Sequence, residues 1–557
     1  MKKPLRLIIH PLFLLLLIWL FSWVILFIQV KPGDQNFPIN DDWSFSRSAF
    51  SLARGDGIQY DGWPGMPFIT QMLWSAPYVW ALGETHFATR LSTIFLALFG
   101  LVAFYDLLKS EFANARFAAF LTATLAFNPW FYELAGSYLT DLPSLSLSMI
   151  GLACARRGLT TESSRMRGLS LIFFTLGVLN RQNAIAAPLA AGLAVARKAI
   201  PRKRLSYLIA LFAVVCIGFL TAYWFNHRPD SNPVRLKLPD KGTAGVGCRS
   251  LFLLGLSILP VVFLKPPTRG SECSYFLMLV AGLALLYTRV LGDITDHSSL
   301  FLGNIVTAQG AFTEQPGELQ MAAYRYRNAV IPILGFMGVA TLIIKAIELL
   351  KSPWSTIGFS TRLILIYSMI QVLPLVITGA VFDRYILIMV PCALMIVGYQ
   401  REPVRFQWGP GLVTLAVFGL FSVALLHDSL DLNRARWTLA RRAVSTGIAP
   451  RQINGGFEWN GWSNSMIVKG RIGVLPDKIG KVPSIPLEGS SFWNGYFSYD
   501  WDGEEPVAFQ RGYKIYSQQL PQTRVVDSEP YRLWLCPRRG LRYLYLLAHE
   551  ENVSSTR

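Results

Sequence analysis

The 557-residue sequence predicts an α-helical polytopic membrane protein of about thirteen transmembrane helices, with a small C-terminal extracytoplasmic α+β domain. Three observations predict it. The chain is 52% hydrophobic and only 15% charged, with a positive mean hydropathy, a balance that excludes an ordinary soluble enzyme. Apolar stretches of about 17–23 residues recur along residues 1–427, the length at which a helix crosses a hydrocarbon core. Between them Lys and Arg gather in short clusters, so the net charge of +18 reads as topogenic and implies no nucleic-acid partner.

The first stretch, "MKKPLRLIIHPLFLLLLIWLFSWVILFIQV", has basic residues followed by about 23 apolar ones, longer than a signal-peptide core and without a small-residue cleavage site. It is expected to remain as the first span, with the N-terminus cytoplasmic. Spans follow near residues 87–108, 116–133, 140–155, 168–180, 183–197, 205–225, 250–264, 274–291, 329–347, 361–380, 384–399 and 410–427. The loops this places inside, such as "KSEFANAR", "RKAIPRKR" and "QREPVRFQW", are basic, as the positive-inside rule requires. One outer loop, "NHRPDSNPVRLKLPDKGTAGVGCR", is also basic and dissents. Residues 428–557 have no span, many Trp, Tyr and Gly, and alternating segments such as "YRLWLCP" and "LRYLYLLA" that read as strands. The expected division is 1–427, with a first outer loop at 30–86, and an outer domain at 428–557. Six cysteines, Cys154, Cys216, Cys248, Cys273, Cys392 and Cys536, form no CxxC or Cys/His cluster, so neither a zinc site nor a disulfide framework is indicated.

The polar residues that topology places outside carry the functional reading. In "FPINDDWSFSRSAF", Asp41 and Asp42 follow the first span, where Asn40, Asp41 or Asp42 can each cap the helix that begins at Trp43. Asp141 in "GSYLTDLPSLSL" sits at a helix start, where the macrodipole favours an acid. In "VFDRYILIMVP", Asp383 can cap, but Arg384 opposes the positive end of the helix dipole, at a cost of about 0.3–1 kcal/mol. Something anionic should offset it: Asp383 next door, or a bound phosphate, which suits both helix N-termini and Arg. Arg181 in "LNRQNA" is a second outer-edge arginine, which at a helix C-terminal end can also simply answer the dipole. A carboxylate that takes a proton from an acceptor hydroxyl, beside arginines that hold a phosphate leaving group, describes glycosyl transfer from a lipid-linked phosphosugar.

These motifs resemble those of the polytopic glycosyltransferases of the C class, especially the bacterial branch similar to protein O-mannosyltransferases and lipid A aminoarabinose transferases. "INDDW" resembles the acidic first-loop motif of that class. "LGETHFATRLSTIFLALFGLVAFYDLLK" resembles its second span, with Gly83 leading and Arg90 near the outer end. "YLTDLPSLSL" resembles its Asp-x-Pro segment, and "DRYILIMVP" its Arg-Tyr segment near the last spans. The resemblance covers about residues 1–400 and implies an inverting transfer from a polyprenyl-phosphate sugar on the outer face of a bacterial inner membrane. It implies that Asp41 or Asp42 is the general base, the Asp-Asp pair standing where many members have Asp-Glu. Asp141 would help to position the acceptor. Arg384, Arg181 and Arg90 would hold the phosphate, with Tyr385 and Asp383 beside the substrate. The acceptor, glycan, lipid or protein, stays open, as does a divalent metal; no cofactor is expected, because no His/Asp metal cluster is visible.

Other outer residues have blander readings. Asp293, Asp296 and His297 in "GDITDHSS" read first as a solvated loop. Trp459 and Trp462 in "NGGFEWNGWSN" suit sugar stacking, but tryptophans in a small domain are more often core or interface anchors. The rival functions are a transporter or flippase of a lipid-linked sugar and an O-antigen ligase or polymerase. Transporters place ionisable groups at midplane, whereas here the acids gather at one face.

Overall fold

The computed structural model describes residues 10–61, 63–196, 202–227, 241–266, 270–292, 300–302, 306–307, 310–311, 330–378, 382–400, 406–465, 513–516, 523–535 and 541–549. Asp293, Asp296, His297, Cys536 and most of the dissenting basic loop lie outside the described residues.

Helices dominate. The first half contains α1 (Pro11–Gln29), α2 (Asp42–Arg54), α3 (Ile69–Leu82), α4 (His86–Glu111), α5 (Ala115–Ala126), α6 (Pro129–Ala135), α7 (Asp141–Thr160), α8 (Ser164–Asn180), α9 (Ala186–Ala196) and α10 (Arg202–Asn226). The second contains α11 (Lys241–Ser257), α12 (Leu259–Leu264), α13 (Gly270–Leu291), α14 (Val330–Leu350), α15 (Phe359–Thr378), α16 (Asp383–Ile386), α17 (Val390–Gly398), α18 (Trp408–Ser445) and α19 (Phe457–Ser465).

Among the described residues six helices, α1, α4, α10, α13, α14 and α18, are long and apolar enough to cross a membrane, and several shorter apolar helices accompany them. Over the described residues every expected apolar stretch falls mainly on helix, but several are interrupted. The stretch at 116–133 divides into α5 and α6 because Asn128 caps the second piece, its Oδ1 accepting from Trp130 N at 3.1 Å, and Pro129 occupies the first helical position. The stretch at 384–399 divides similarly before Pro391. Small residues set the closest crossings: α4 packs on α7 where a Cβ at Gly100 would lie 2.5 Å from Ser146 Oγ.

The 38 residues of α18 span about 57 Å at 1.5 Å per residue, well beyond a hydrocarbon core of about 30 Å. The boundary expected between residues 427 and 428 therefore falls inside one continuous helix. Its second half carries a four-stranded sheet built from β3 (Ile453–Asn454), β4 (Tyr513–Tyr516), β5 (Thr523–Arg532) and β6 (Leu541–His549), preceded in the chain by the short hairpin β1 (Val306–Thr307) and β2 (Gly310–Ala311). The order is β3-β4-β6-β5, with β3 parallel to β4 and the other pairs antiparallel. Arg434 Nη1 reaches Glu529 Oε1 at 3.0 Å and Arg442 Nε reaches Asp527 Oδ2 at 2.9 Å, tying the sheet to α18. Leu544 and Leu546, alternate residues of β6, join the main hydrophobic core.

Candidate functional site: a carboxylate and guanidinium cluster at the first loop

The turn into α2 is built from both ends of the chain. Asn40 adopts φ 54°, a left-handed conformation that Asn tolerates better than most residues. Its N–H donates to Glu458 Oε1 of α19 at 3.1 Å, and Glu458 is itself paired with Arg436 of α18. Asn40 Oδ1 accepts from the Asp41 amide at 2.8 Å. The next two side chains are thereby presented in different directions, and the Asp41 carboxylate makes no capping bond to α2.

Asp42 points inward and is fully buried. Its Oδ1 accepts from the Tyr138 amide at 2.7 Å, and its Oδ2 lies 3.8 Å from Arg90 Nε. Burial pushes the Asp42 carboxyl up to about 7, although Arg90 and the backbone N–H groups pull the other way. Arg90 is also committed inside: Nη1 donates to Gln35 O at 3.2 Å, Nη2 to Phe37 O, and its guanidinium lies 4.9 Å from the Phe37 ring. Expected among the phosphate ligands, Arg90 is placed instead as a brace of the loop between α1 and α2, because that loop's carbonyls need donors inside the protein.

The other charged residues converge. Asp41 Oδ2 lies 3.1 Å from Arg384 Nη1 of α16, while its Oδ1 accepts from Trp63 Nε1 at 2.8 Å. Arg384 Nε is 3.8 Å from Asp141 Oδ2 at the start of α7. Asp141 Oδ1 is 2.7 Å from Arg181 Nη1, just past the end of α8, and the same Arg181 nitrogen donates to Thr140 Oγ1 at 2.8 Å. The result is a chain of alternating charge, Asp41, Arg384, Asp141 and Arg181, drawn from four separate elements. Arg181 does not merely answer the α8 dipole; it spans to the start of α7.

Asp383 serves the α16 turn itself. Its Oδ2 accepts from Trp130 Nε1 at 2.9 Å and its Oδ1 from the Arg384 amide at 2.7 Å, so it fixes the α16 start from a fully buried position. Tyr385 flanks the cluster, its ring 5.2 Å from the Arg181 guanidinium and 5.6 Å from that of Arg384. Sequence reasoning missed Trp63, Thr140 and Glu458. Trp63 is a single indole in a Gly- and Pro-rich loop and Glu458 lies more than four hundred residues from the loop it holds, so no local pattern marks either.

The four charges nearly cancel. Guanidinium donors suit phosphate oxygens, and an anion arriving there competes with the carboxylates for them, leaving Asp41 able to accept a proton. Among the described residues, no group of three or more His, Cys, Asp and Glu is placed to hold a metal ion.

No family model and no curated protein matches the chain. Solved structures do. The chain is similar to ArnT from Cupriavidus metallidurans in the apo state, with 13% identity, 96% of this chain and 99% of that chain covered, and a TM-score of 0.39. For ArnT from the same organism bound to undecaprenyl phosphate, the values are 14%, 96%, 97% and 0.37. For the oligosaccharyltransferase of Archaeoglobus fulgidus in the apo form they are 13%, 80%, 59% and 0.43. With TM-scores below 0.5, these similarities decide neither architecture nor activity, which are read from the site itself.

Proposed function

We propose that the protein is an inverting glycosyltransferase that moves a sugar from a polyprenyl-phosphate donor to an acceptor hydroxyl on the outer face of a bacterial inner membrane. The observation that carries this reading is the junction of Asp41, Asp141, Arg181 and Arg384 in one cluster beside apolar helices. A lipid-linked donor brings its phosphate to this depth while its chain stays among the helices. Arg384 and Arg181 bind the phosphate and neutralise the charge that grows on it as it leaves. Asp41, released from Arg384, accepts the proton of the acceptor hydroxyl; the hydroxyl oxygen bonds to the anomeric carbon as the bond from that carbon to the phosphate oxygen breaks. The products are the glycosylated acceptor and polyprenyl phosphate. Asp141 holds both arginines in register, and Tyr385 covers them.

Asp41 is the base rather than Asp42 because Asp42 is sealed and bonded to the Tyr138 amide, where no acceptor can reach it. The C-terminal sheet, carried past the bilayer by α18, lies on the outer face in this reading, and α19 supports the first loop through Glu458. The test is transfer from a panel of polyprenyl-phosphate sugars by purified protein, with mass spectrometry of envelope glycolipids and glycoproteins with and without the gene. No donor-dependent product and no lost sugar mass would sink the reading.

A further inference from the structure

A cavity lies on the same side as the acidic loop, between the far half of α18, α19 and the start of α4. Its volume is about 260 Å³, and its walls include Asn36, His86, Trp437, Arg441, Trp459 and Trp462. We propose that this cavity binds a pyranose ring, and that in the working enzyme the ring belongs to the acceptor saccharide.

The chemistry of the walls selects that ligand. Three indoles converge on a space slightly smaller than the roughly 300–1,000 Å³ of sites that enclose larger small molecules, a size for one ring. A pyranose has apolar C–H faces for indoles and a rim of hydroxyls, and the polar groups here match the rim. Asn36 Oδ1 accepts from both the His86 backbone N–H, at 3.2 Å, and His86 Nδ1, at 3.1 Å. Nδ1 therefore carries the proton and Nε2 is left as an acceptor. Among the described residues Nε2 has no hydrogen-bond partner, and His86 is only 3% exposed. A buried acceptor of this kind calls for a donor, and a sugar hydroxyl supplies one. Arg441, exposed at the rim, adds donors; one already reaches Asn36 O, joining the three residues in one network. An acyl chain would leave these groups unsatisfied.

Phe50, another wall residue whose ring packs 5.8 Å from that of His86, lies on α2 eight residues after Asp42 and nine after Asp41, about 12–14 Å at 1.5 Å per residue. A ring held here is thus a neighbour of the reacting sugar in an oligosaccharide, and its binding helps to place the reacting hydroxyl. Assigning the ring to the acceptor rests on the transferase reading; the affinity for a pyranose does not.

The experiment uses the full chain in lipid nanodiscs, free of glycoside detergents that would compete. Methyl glycosides of hexoses, N-acetylhexosamines and uronic acids are screened by saturation-transfer NMR and tryptophan fluorescence, with inorganic phosphate and a short-chain phospholipid as controls. At least one glycoside should bind saturably, and neither control should displace it. H86F should weaken that binding tenfold or more, and R441Q several-fold; Arg441 is exposed, so its variant tests the site even where H86F fails to fold. Absence of glycoside binding to the wild type, or equal affinity in R441Q and every folded H86F sample, overturns the proposal. Glycoside binding without any donor-dependent transfer overturns the transferase reading alone.

Discussion

Replacing Asp41 by Asn keeps the side chain's shape and its capacity to accept from Trp63 Nε1. It removes the charge 3.1 Å from Arg384 and the ability to take a proton. A positioned general base contributes about 10²–10⁴-fold, so transfer at saturating donor should fall by that factor, about 2.7–5.5 kcal/mol of barrier. Donor binding should move the other way. Arg384 loses the nearer of its two carboxylates and need no longer surrender a charge-assisted hydrogen bond worth about 1.5–3 kcal/mol when phosphate arrives. Because both side chains keep 10–12% of their surface exposed, the lower end applies, and affinity for polyprenyl phosphate should rise by up to about tenfold. The assay measures single-turnover transfer and polyprenyl-phosphate binding separately, with Asp42→Asn beside it. If folded Asp41→Asn transfers within about threefold of the wild type, or Asp42→Asn loses as much, the assignment of the base is wrong.

Arg384→Gln should weaken polyprenyl-phosphate binding by about 10- to 100-fold, the loss of a charged hydrogen bond, and unchanged affinity would reduce Arg384 to a partner of Asp41. Arg90→Met should instead lower the melting temperature with donor affinity kept in the folded fraction, since breaking a buried pair costs about 3–5 kcal/mol. The double variant with Asp42→Asn should recover part of that loss; no recovery would deny the coupling implied by the 3.8 Å approach. The Asp42 carboxyl, raised from 3.8 to about 7, contributes stability that is present below about pH 3.8 and lost as pH rises through about 7, at most about 4 kcal/mol. The melting temperature of the wild type relative to Asp42→Asn should therefore decline from pH 5 to 8, and a constant difference would refute the raised value.

The sequence by itself determined the membrane-helical character, because apolar length and basic loops are local properties that a bilayer reads directly. It also marked Asp41 or Asp42, Asp141, Arg181 and Arg384, because charged residues at helix ends are legible locally, although Arg384 alone of these opposes the dipole. Tertiary structure alone decided which charges meet. Asp41 and Asp42 are neighbours in the chain, yet the turn at Asn40 sends one to Arg384 and seals the other against Tyr138 and Arg90. Local pattern could not show that Asp383 serves Trp130, or that α18 continues past the expected boundary to carry the sheet. A side chain's partner depends on where distant helices pack, and that information is spread over the whole chain rather than written beside the residue.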